Sequence, residues 1–235
     1  MEEKTIQIPE KTFFPEHKTF FWEKQAYSSW KFRHYFLKRA FDIVFSSIVL
    51  IAISPLFFII ALMIRLSSPG KAIYVQMRLG HRGKVFKCYK FRTMYQDAEI
   101  RLKKILKNNP KLHYEWEEHQ KLREDPRIFP FGRFLRKLSL DELPQFWNVL
   151  KGDLSIVGPR PYMVSQRKKL GAFADQIFKV KPGITGIWQT SGRSNTSFYQ
   201  RIILDNKYIE THSFWLDCWL ILKTIPQVLF SKNAF

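Results

Sequence analysis

Two adjacent carboxylates, Asp141 and Glu142, form the pair of residues in this chain that is best suited to chemistry. A serine followed three residues later by a glutamate, as in Ser139 and Glu142, is the pattern of a capping box, in which both side chains satisfy unpaired N–H groups at a helix start. The same pair is also a candidate reaction centre. Both interpretations stay open, and both predict a helix that follows Ser139 and tolerates Pro144 in its first turn.

As a reaction centre, the pair would act on a phosphorylated molecule. The positive end of a helix dipole keeps a nearby carboxylate ionised and attracts phosphate. An ionised Asp141 can attack phosphorus and form an acyl phosphate, while Glu142 can serve as a base or help to bind a metal. Mg²⁺ commonly takes one or two carboxylates together with substrate phosphates. Adjacent residues on a helix diverge by roughly 100°, so the two acids are expected to have different roles.

Basic side chains that could hold a phosphate occur in three segments. Lys90 and Arg92 lie two residues apart at the end of an expected strand, so they should share a face and could grip a diphosphate. The alternative is a solvated or lipid-facing strand edge. Arg160 and Arg193 each lie in a loop with glycine, where close backbone approach and a guanidinium suit bidentate phosphate binding. Each loop taken alone is a weak signal.

Other chemistries are disfavoured by what the sequence lacks. It contains no Walker-type phosphate loop and no glycine-rich dinucleotide fingerprint. Its six histidines show no metal-ligand spacing and no convincing Ser-His-Asp order, and its two cysteines form no metal or redox motif. ATP-driven and hydride-transfer chemistry are therefore not expected.

The charge balance points to an anionic partner. Lys and Arg number 39 against 20 Asp and Glu, a net charge of +19 over 235 residues, a length that suits one domain. Nucleic acid, anionic lipid and a phosphorylated substrate all fit such a surplus. Tryptophan and tyrosine beside Lys and Arg are typical of a membrane interface, although nucleic-acid stacking uses them too.

Residues 43 to 64 form an uncharged, apolar run that is interrupted by Ser54 and Pro55. A straight helix of this length would cross a bilayer, but Pro55 lacks an N–H and disfavours helical geometry in the residue before it. Lys and Arg flank both ends of the run, and such clusters prefer the cytoplasmic side. The sequence therefore predicts a re-entrant membrane helix at 36–66 that turns at Ser54-Pro55 and keeps both flanks inside.

The other segments predict an α+β fold, with interfacial amphipathic helices around a small catalytic domain that contains a β-hairpin. Strands are expected at 72–77 and 84–90, around a turn with two glycines. The Gly- and Pro-rich segments are expected to be loops, at 158–161 and 182–186. The expected helices cover 95–122 with a break near 108–110, 195–210, and the membrane-surface segment 213–230. The predicted divisions are an N-terminal arm at 1–35, the re-entrant helix at 36–66 and a cytoplasmic, membrane-surface catalytic domain at 67–235.

Several short motifs follow one another in a fixed order along residues 36 to 231. They are Lys38-Arg39-Ala40-Phe41-Asp42, Ser54-Pro55, Gln76-x-Arg78-x-Gly80, Lys90-Phe91-Arg92-Thr93-Met94, Leu140-Asp141-Glu142-Leu143-Pro144-Gln145, Asn148-Val149-Leu150-Lys151-Gly152-Asp153, Gly158-Pro159-Arg160-Pro161, Lys181-Pro182-Gly183-Ile184-Thr185-Gly186, Ser191-Gly192-Arg193-Ser194 and Leu204-Asp205. In these motifs the chain resembles the bacterial sugar transferases, the monotopic polyprenyl-phosphate phosphoglycosyl transferases.

This resemblance implies transfer of a sugar-1-phosphate from a UDP-sugar to undecaprenyl phosphate, with release of UMP. Such a step begins the synthesis of exopolysaccharide, lipopolysaccharide or capsule. Asp141 would be the nucleophile of a covalent phosphosugar intermediate and would bind Mg²⁺, with Glu142 as base or metal partner. The residues expected to line the substrate site are Lys90, Arg92, Arg160, Arg193 and Asp205.

The resemblance also implies partners and a location. These are the UDP-sugar, undecaprenyl phosphate and inner-membrane lipids, with the catalytic domain on the cytoplasmic face and no role for nucleic acid. A homo-oligomer and contacts with downstream glycosyltransferases are compatible with this role. Many long relatives carry a multi-span membrane region ahead of this unit, so a chain with about 35 residues before its membrane segment is expected to be a free-standing catalytic form.

The sugar is the least defined part of the prediction. The 191–194 loop and the helical insert at 95–125 resemble hexose-1-phosphate transferases, with glucose or galactose as the sugar. Transfer of an N-acetylhexosamine-1-phosphate is the alternative within the family. A basic membrane-surface scaffold without catalysis is the alternative outside it.

Overall fold

The computed structural model describes residues 23–119, 122, 124–191 and 196–230. Within these residues, helices surround two small two-stranded sheets, one antiparallel and one parallel, so the expected α+β class is confirmed. Most of the predicted N-terminal arm, residues 1–22, lies outside the described residues. The domain boundaries remain predictions.

The apolar run forms two helices, α1 (Glu23–Ala52) and α2 (Ser54–Ser67), bent by 62°. Pro55 lies in the first turn of α2, where its missing N–H costs no hydrogen bond. The expected break at Ser54-Pro55 is confirmed. In the described part of the chain, no single helix is long and apolar enough to cross a bilayer, whereas α1 and α2 together meet that criterion of length and composition.

Strands β1 (Ile73–Leu79) and β2 (Val85–Phe91) form the expected antiparallel hairpin, slightly displaced from its predicted bounds. A single 3-10 turn at His81–Gly83 closes it. At the other end of the hairpin, the Phe91 ring packs on Phe57 of α2, with ring centroids 4.5 Å apart. The hairpin is therefore docked against α2, the second helix of the bent pair.

The expected break in the next helical segment is also confirmed, because it divides into α3 (Ala98–Asn108) and α4 (Pro110–His119). The side chain of Asn109 accepts two backbone N–H bonds from the first turn of α4. Three further α-helices follow, α5 (Pro130–Lys137), α6 (Gln145–Lys151) and α7 (Ala174–Ile177). The helices expected at 195–210 and 213–230 are α8 (Phe198–Thr211) and α9 (Phe214–Phe230).

Of the two interpretations that the sequence leaves open for Ser139 and Glu142, the capping box is wrong. Ser139 has a left-handed backbone, with φ 54°, and its side chain makes no capping hydrogen bond. The acid pair lies in one 3-10 turn that ends at Glu142, and α6 begins only at Gln145, with Pro144 as its N-cap. The physical reason is that the Glu142 carboxylate is engaged by Lys90 of β2 instead of the Ser139 backbone.

The prediction of loops at 182–186 is partly wrong as well. Residues Ser155–Val157 form β3 and Gly183–Thr185 form β4, which pair in parallel. Glycine makes this pairing feasible, because a Cβ on Gly183 would lie 2.1 Å from the nitrogen of Gly158. The small sheet sits in the core beside buried Val149 and ends where the Arg160 loop begins.

Three side chains of the 38–42 motif tie α1 to the rest of the fold. Lys38 Nζ pairs with Asp217 of α9 at 2.5 Å. Arg39 donates two hydrogen bonds to carbonyls at the C-terminal end of α6, where a cation also complements the helix dipole. Asp42 accepts a backbone and a hydroxyl hydrogen bond from β3. The position of α1 therefore fixes the positions of α6 and β3.

Candidate active site

Lys90 links the β-hairpin to the acid pair. The register of the hairpin pairs Lys90 with Tyr74, and Lys90 Nζ donates to Glu142 Oε1 at 2.5 Å. Asp141 is the preceding residue on the same 3-10 turn. The structure thus brings Lys90 to the acid pair Asp141-Glu142, which follows it by more than 50 residues in the sequence.

The two carboxyl groups are held in different electrostatic states. Burial raises the pKa of Asp141 to about 6, and the neighbouring Glu142 carboxylate adds to this rise. Burial also acts against ionisation of Glu142, but Lys90, followed by Arg160 and Arg78, keeps its pKa below the ordinary value. Glu142 is therefore the carboxylate that forms an ion pair, whereas Asp141 has no ion-pair partner among the described residues, although the charges of Lys90 and Arg136 lower its pKa against the effect of burial.

Asn148 of α6 aligns the hairpin with this turn. Its fully buried amide accepts a hydrogen bond from Tyr89 N at 3.0 Å and donates one to Lys87 O at 2.6 Å. The amide thereby pairs with the backbone of β2 as a neighbouring strand would. Because α6 follows the acid pair closely in the chain, this contact sets the reach of Lys90 to Glu142.

Arg160 is carried by the loop that follows β3. Its backbone N–H and the hydroxyl of Tyr162 both donate to Asp205 Oδ2, at 3.1 Å and 2.7 Å. Asp205 is fully buried, so it holds this loop from the inside of the fold. The guanidinium of Arg160 lies over the ring of Trp188, 4.7 Å from its centroid. The predicted contact of Asp205 with substrate stays a prediction, and in the structure its partners are protein groups.

Arg92 makes its hydrogen bonds away from the acid pair. Arg92 is buried and donates to the carbonyls of Ser68 and Pro69, in the turn after α2. Its guanidinium therefore does not share the environment of Lys90, because it bonds to the turn after α2, whereas Lys90 bonds to Glu142. Arg193 lies in segment 192–195, outside the described residues. Their roles in substrate binding remain predictions.

Two arginines of this region were not assigned to the site from the sequence. Arg78 lies on β1 and influences Glu142, as noted above. Arg136 of α5 donates from Nε to Thr93 Oγ1 at 2.9 Å, and its charge opposes the burial that raises the pKa of Asp141. The sequence could have assigned Arg78 to the site, since it stands in the Gln76-x-Arg78-x-Gly80 motif. It could not have assigned Arg136, because only tertiary packing brings α5 to the acid pair.

A family model described as bacterial sugar transferase matches residues 30–231. The chain belongs to the bacterial sugar transferase family. The resemblance drawn from its motifs is therefore confirmed, and the acid pair belongs to a phosphoglycosyl transferase.

The transferase is similar to curated relatives of two lengths. It is 40% identical to the exopolysaccharide production protein ExoY of Sinorhizobium fredii over 198 residues, covering 84% of this chain and 88% of the relative. It is 45% identical to the undecaprenyl-phosphate galactose phosphotransferase of Salmonella typhimurium over 201 residues, covering 85% of this chain and 42% of the relative. For the UDP-glucose:undecaprenyl-phosphate glucose-1-phosphate transferase of Escherichia coli, the values are 40% identity over 207 residues, 85% and 41%. The chain thus spans less than half the length of the last two.

The acid pair of the transferase fits Mg²⁺ when a substrate supplies further oxygens. Among the described residues, no three Asp, Glu, His or Cys side chains gather around one point. Two adjacent carboxylates plus substrate phosphates are, however, a donor set that Mg²⁺ accepts. Lys90 donates to Oε1 of Glu142, so Oε2 of Glu142 and the carboxylate of Asp141 are the oxygens that would hold the ion.

We predict that the stability of the transferase depends on pH through Asp205. Burial raises the pKa of Asp205 to about 7, despite the hydrogen bonds from Tyr162 and Arg160. The same carboxyl in the unfolded chain ionises near 4, so its stabilising contribution is complete below about pH 4 and is lost as the pH rises to about 7. Asp205→Asn removes this dependence. The free energy of unfolding of the wild type, relative to that of the variant, should fall by roughly 3 kcal/mol between pH 5 and 8.

Thermal or denaturant unfolding in detergent at several pH values measures this difference. Asp175→Asn is the control, because Asp175 is exposed and should leave the pH dependence of the wild type unchanged. A difference between wild type and Asp205→Asn that is the same at pH 5 and pH 8 would contradict the assignment.

Proposed function

We propose that this transferase moves a hexose-1-phosphate from a UDP-sugar to undecaprenyl phosphate and releases UMP, through a covalent phosphosugar on Asp141. The observation that carries the proposal is the acid pair in a tight turn, with Glu142 held by Lys90 at 2.5 Å and Asp141 left without an ion-pair partner among the described residues. A carboxylate that forms no ion pair has its oxygens available for nucleophilic attack once it is ionised.

The names of the relatives support the two substrates. The Salmonella relative is named for undecaprenyl phosphate and galactose, and the Escherichia relative for UDP-glucose and the same lipid acceptor. Both names describe hexose transfer. We extend this class of reaction to the present chain, with glucose or galactose as the sugar.

In the first step, a carboxylate oxygen of Asp141 attacks the phosphorus that bears the sugar. The bond from this phosphorus to the bridging oxygen of the diphosphate breaks, and UMP leaves with that oxygen and its electron pair. Lys90 and Arg160 provide positive charge near the diphosphate, which stabilises the charge that develops on the leaving group. The product is an aspartyl phosphosugar.

In the second step, a phosphate oxygen of undecaprenyl phosphate attacks the same phosphorus. The bond to Asp141 breaks, the carboxylate is regenerated and the sugar leaves as a lipid-linked diphosphate. Glu142, kept ionised by Lys90, orients the phosphates with Asp141. Bound Mg²⁺ would neutralise phosphate charge and align the reacting groups.

The lipid acceptor requires that the site lie at a membrane surface, and exposed apolar side chains support this location. Such residues are numerous on α1, α2 and α9, well beyond the scattered apolar residues of an ordinary soluble surface. On α9, Lys223 Nζ lies 4.6 Å from the ring centroid of Trp219, a pairing suited to the headgroup region. The most exposed apolar residues on these three helices are Phe36, Ile48, Ile51, Phe58, Leu66, Trp215 and Leu222. We place the catalytic domain on the cytoplasmic face of the inner membrane, where UDP-sugars occur.

Asp141→Asn should abolish catalysis, because an amide oxygen is a poor nucleophile for phosphorus. We expect UMP release from UDP-glucose or UDP-galactose, measured with undecaprenyl phosphate in detergent, to fall by at least about 1,000-fold, the scale of loss seen when a covalent nucleophile is removed. Asp175→Asn should keep wild-type activity. Unchanged UMP release by Asp141→Asn would exclude this residue as the nucleophile.

The bent pair α1–α2 should place both of its flanks in the cytoplasm. Single cysteines introduced at Lys24 and at Lys71, in a background without Cys88 and Cys218, can be tested with a membrane-impermeant thiol reagent on spheroplasts and on lysed cells. We expect both to react only after lysis. Reaction of the cysteine at position 24 in intact spheroplasts would show a spanning helix instead.

A further inference from the structure

Arg78 is an unusual residue in this site because its charge is buried without a counter-charge in contact. It is 7% exposed on β1. Its Nε and Nη2 donate to Gln76 Oε1, and its Nη1 donates to Pro161 O at 2.9 Å. All of these acceptors are neutral. None of the ion pairs among the described residues includes Arg78.

A buried guanidinium without a carboxylate is costly, and its surroundings increase that cost. Burial, followed by the nearby charge of Arg160, lowers the pKa of Arg78 to about 10, while Glu142 acts in the opposite direction. Arg78 is therefore influenced by a second cation, Arg160, and by Glu142 of the acid pair, and it bonds directly to the carbonyl of Pro161, next to Arg160 in the chain. An additional anion at this place would offset the repulsion between the two guanidinium groups.

Attachment of the Arg160 loop does not by itself require the charge of Arg78. The backbone of β1 already binds this loop, because Leu79 N donates to Tyr162 O at 2.8 Å. Asp205 holds the same loop from the other side, through Arg160 N and the Tyr162 hydroxyl. A neutral side chain at position 78 would be sufficient for a purely mechanical contact with Pro161.

We propose that Arg78 is a positioning residue for the donor diphosphate. It orients the Arg160 loop through its hydrogen bond to Pro161, and it supplies a buried positive charge that the bound diphosphate neutralises. This inference rests on the proposed function, since it assumes that a nucleoside diphosphate group binds beside Glu142 and Arg160. It assigns to a strand residue a share of the charge recognition otherwise expected from Lys90 and Arg160.

The test measures binding of UDP to the full chain in detergent by calorimetry, together with kcat and KM for the UDP-hexose. UDP carries the diphosphate but has no sugar-phosphate to transfer, so its binding is measured without turnover. Arg78→Gln should weaken UDP binding by about 10- to 100-fold, the range for loss of a charged hydrogen-bonding group. Arg78→Lys keeps the charge without the bidentate geometry and should recover most of the affinity. KM for the UDP-hexose should follow the same order.

Arg127→Gln is the matched control, since Arg127 is also a buried guanidinium, but it is paired with Asp125 at 2.6 Å. It should lower the melting temperature and leave the UDP affinity unchanged. Equal UDP affinity in Arg78→Gln and wild type would overturn the proposal. So would equal losses in Arg78→Gln and Arg78→Lys, because a structural clamp would be disrupted by both.

A variant that fails to fold is replaced by Gln76→Met, which removes an acceptor of Arg78 and leaves its charge in place. The UDP affinity should then fall several-fold, and an unchanged affinity would overturn the proposal. The proposed function is tested separately by UMP release from the wild type in the presence of undecaprenyl phosphate. Absence of UMP release contradicts that function, whereas the binding measurements decide the role of Arg78 alone.

Discussion

The ion pair between Lys90 and Glu142 is the contact on which the geometry of this site depends. Two neighbouring carboxylates repel each other, and burial makes that repulsion stronger. Lys90 contacts Glu142 directly, whereas Asp141, whose pKa is raised mainly by burial, forms no ion pair among the described residues. The pair thus divides into Glu142, which forms the ion pair, and Asp141, which we propose as the nucleophile.

That ion pair depends on tertiary contacts between distant parts of the chain. The Asn148 side chain hydrogen-bonds α6 to the backbone of β2, so the turn that carries Glu142 faces Lys90. Arg39 in turn binds the end of α6, and the ring of Phe45 lies 6.4 Å from that of Phe146. The bent helix pair therefore determines where the acid pair lies relative to the apolar surface. We propose that this arrangement holds the acid pair at a fixed distance from the membrane surface, where it can reach a lipid phosphate.

Elements governed by local chain chemistry were predictable from the sequence. The bend at Ser54-Pro55 follows from the missing N–H of proline, and the hairpin follows from alternating residues around a glycine-containing turn. The break at Asn109 follows from the helix-breaking Asn-Pro pair. The acid pair and Lys90 were recognised individually, and their motifs identified the family.

Features that depend on tertiary contacts were not predictable in the same way. The capping box at Ser139 failed because Lys90, far away in the chain, competes for Glu142. The parallel β3–β4 pairing was hidden in segments dense in glycine and proline, since its stability comes from burial and close backbone approach. Arg92 was grouped with Lys90 by strand alternation, but its guanidinium bonds to the carbonyls of the turn after α2, a contact that only the tertiary fold creates.

The central claim is that Asp141 becomes covalently linked to the phosphosugar. Intact-protein and peptide mass spectrometry after rapid acid quench, with UDP-hexose present and no lipid acceptor, tests this most directly. We expect a hexose-phosphate adduct on the peptide that contains Asp141, together with an equimolar amount of released UMP. UMP release that requires the lipid acceptor, with no adduct at any time point, would contradict it and favour direct attack by the lipid phosphate.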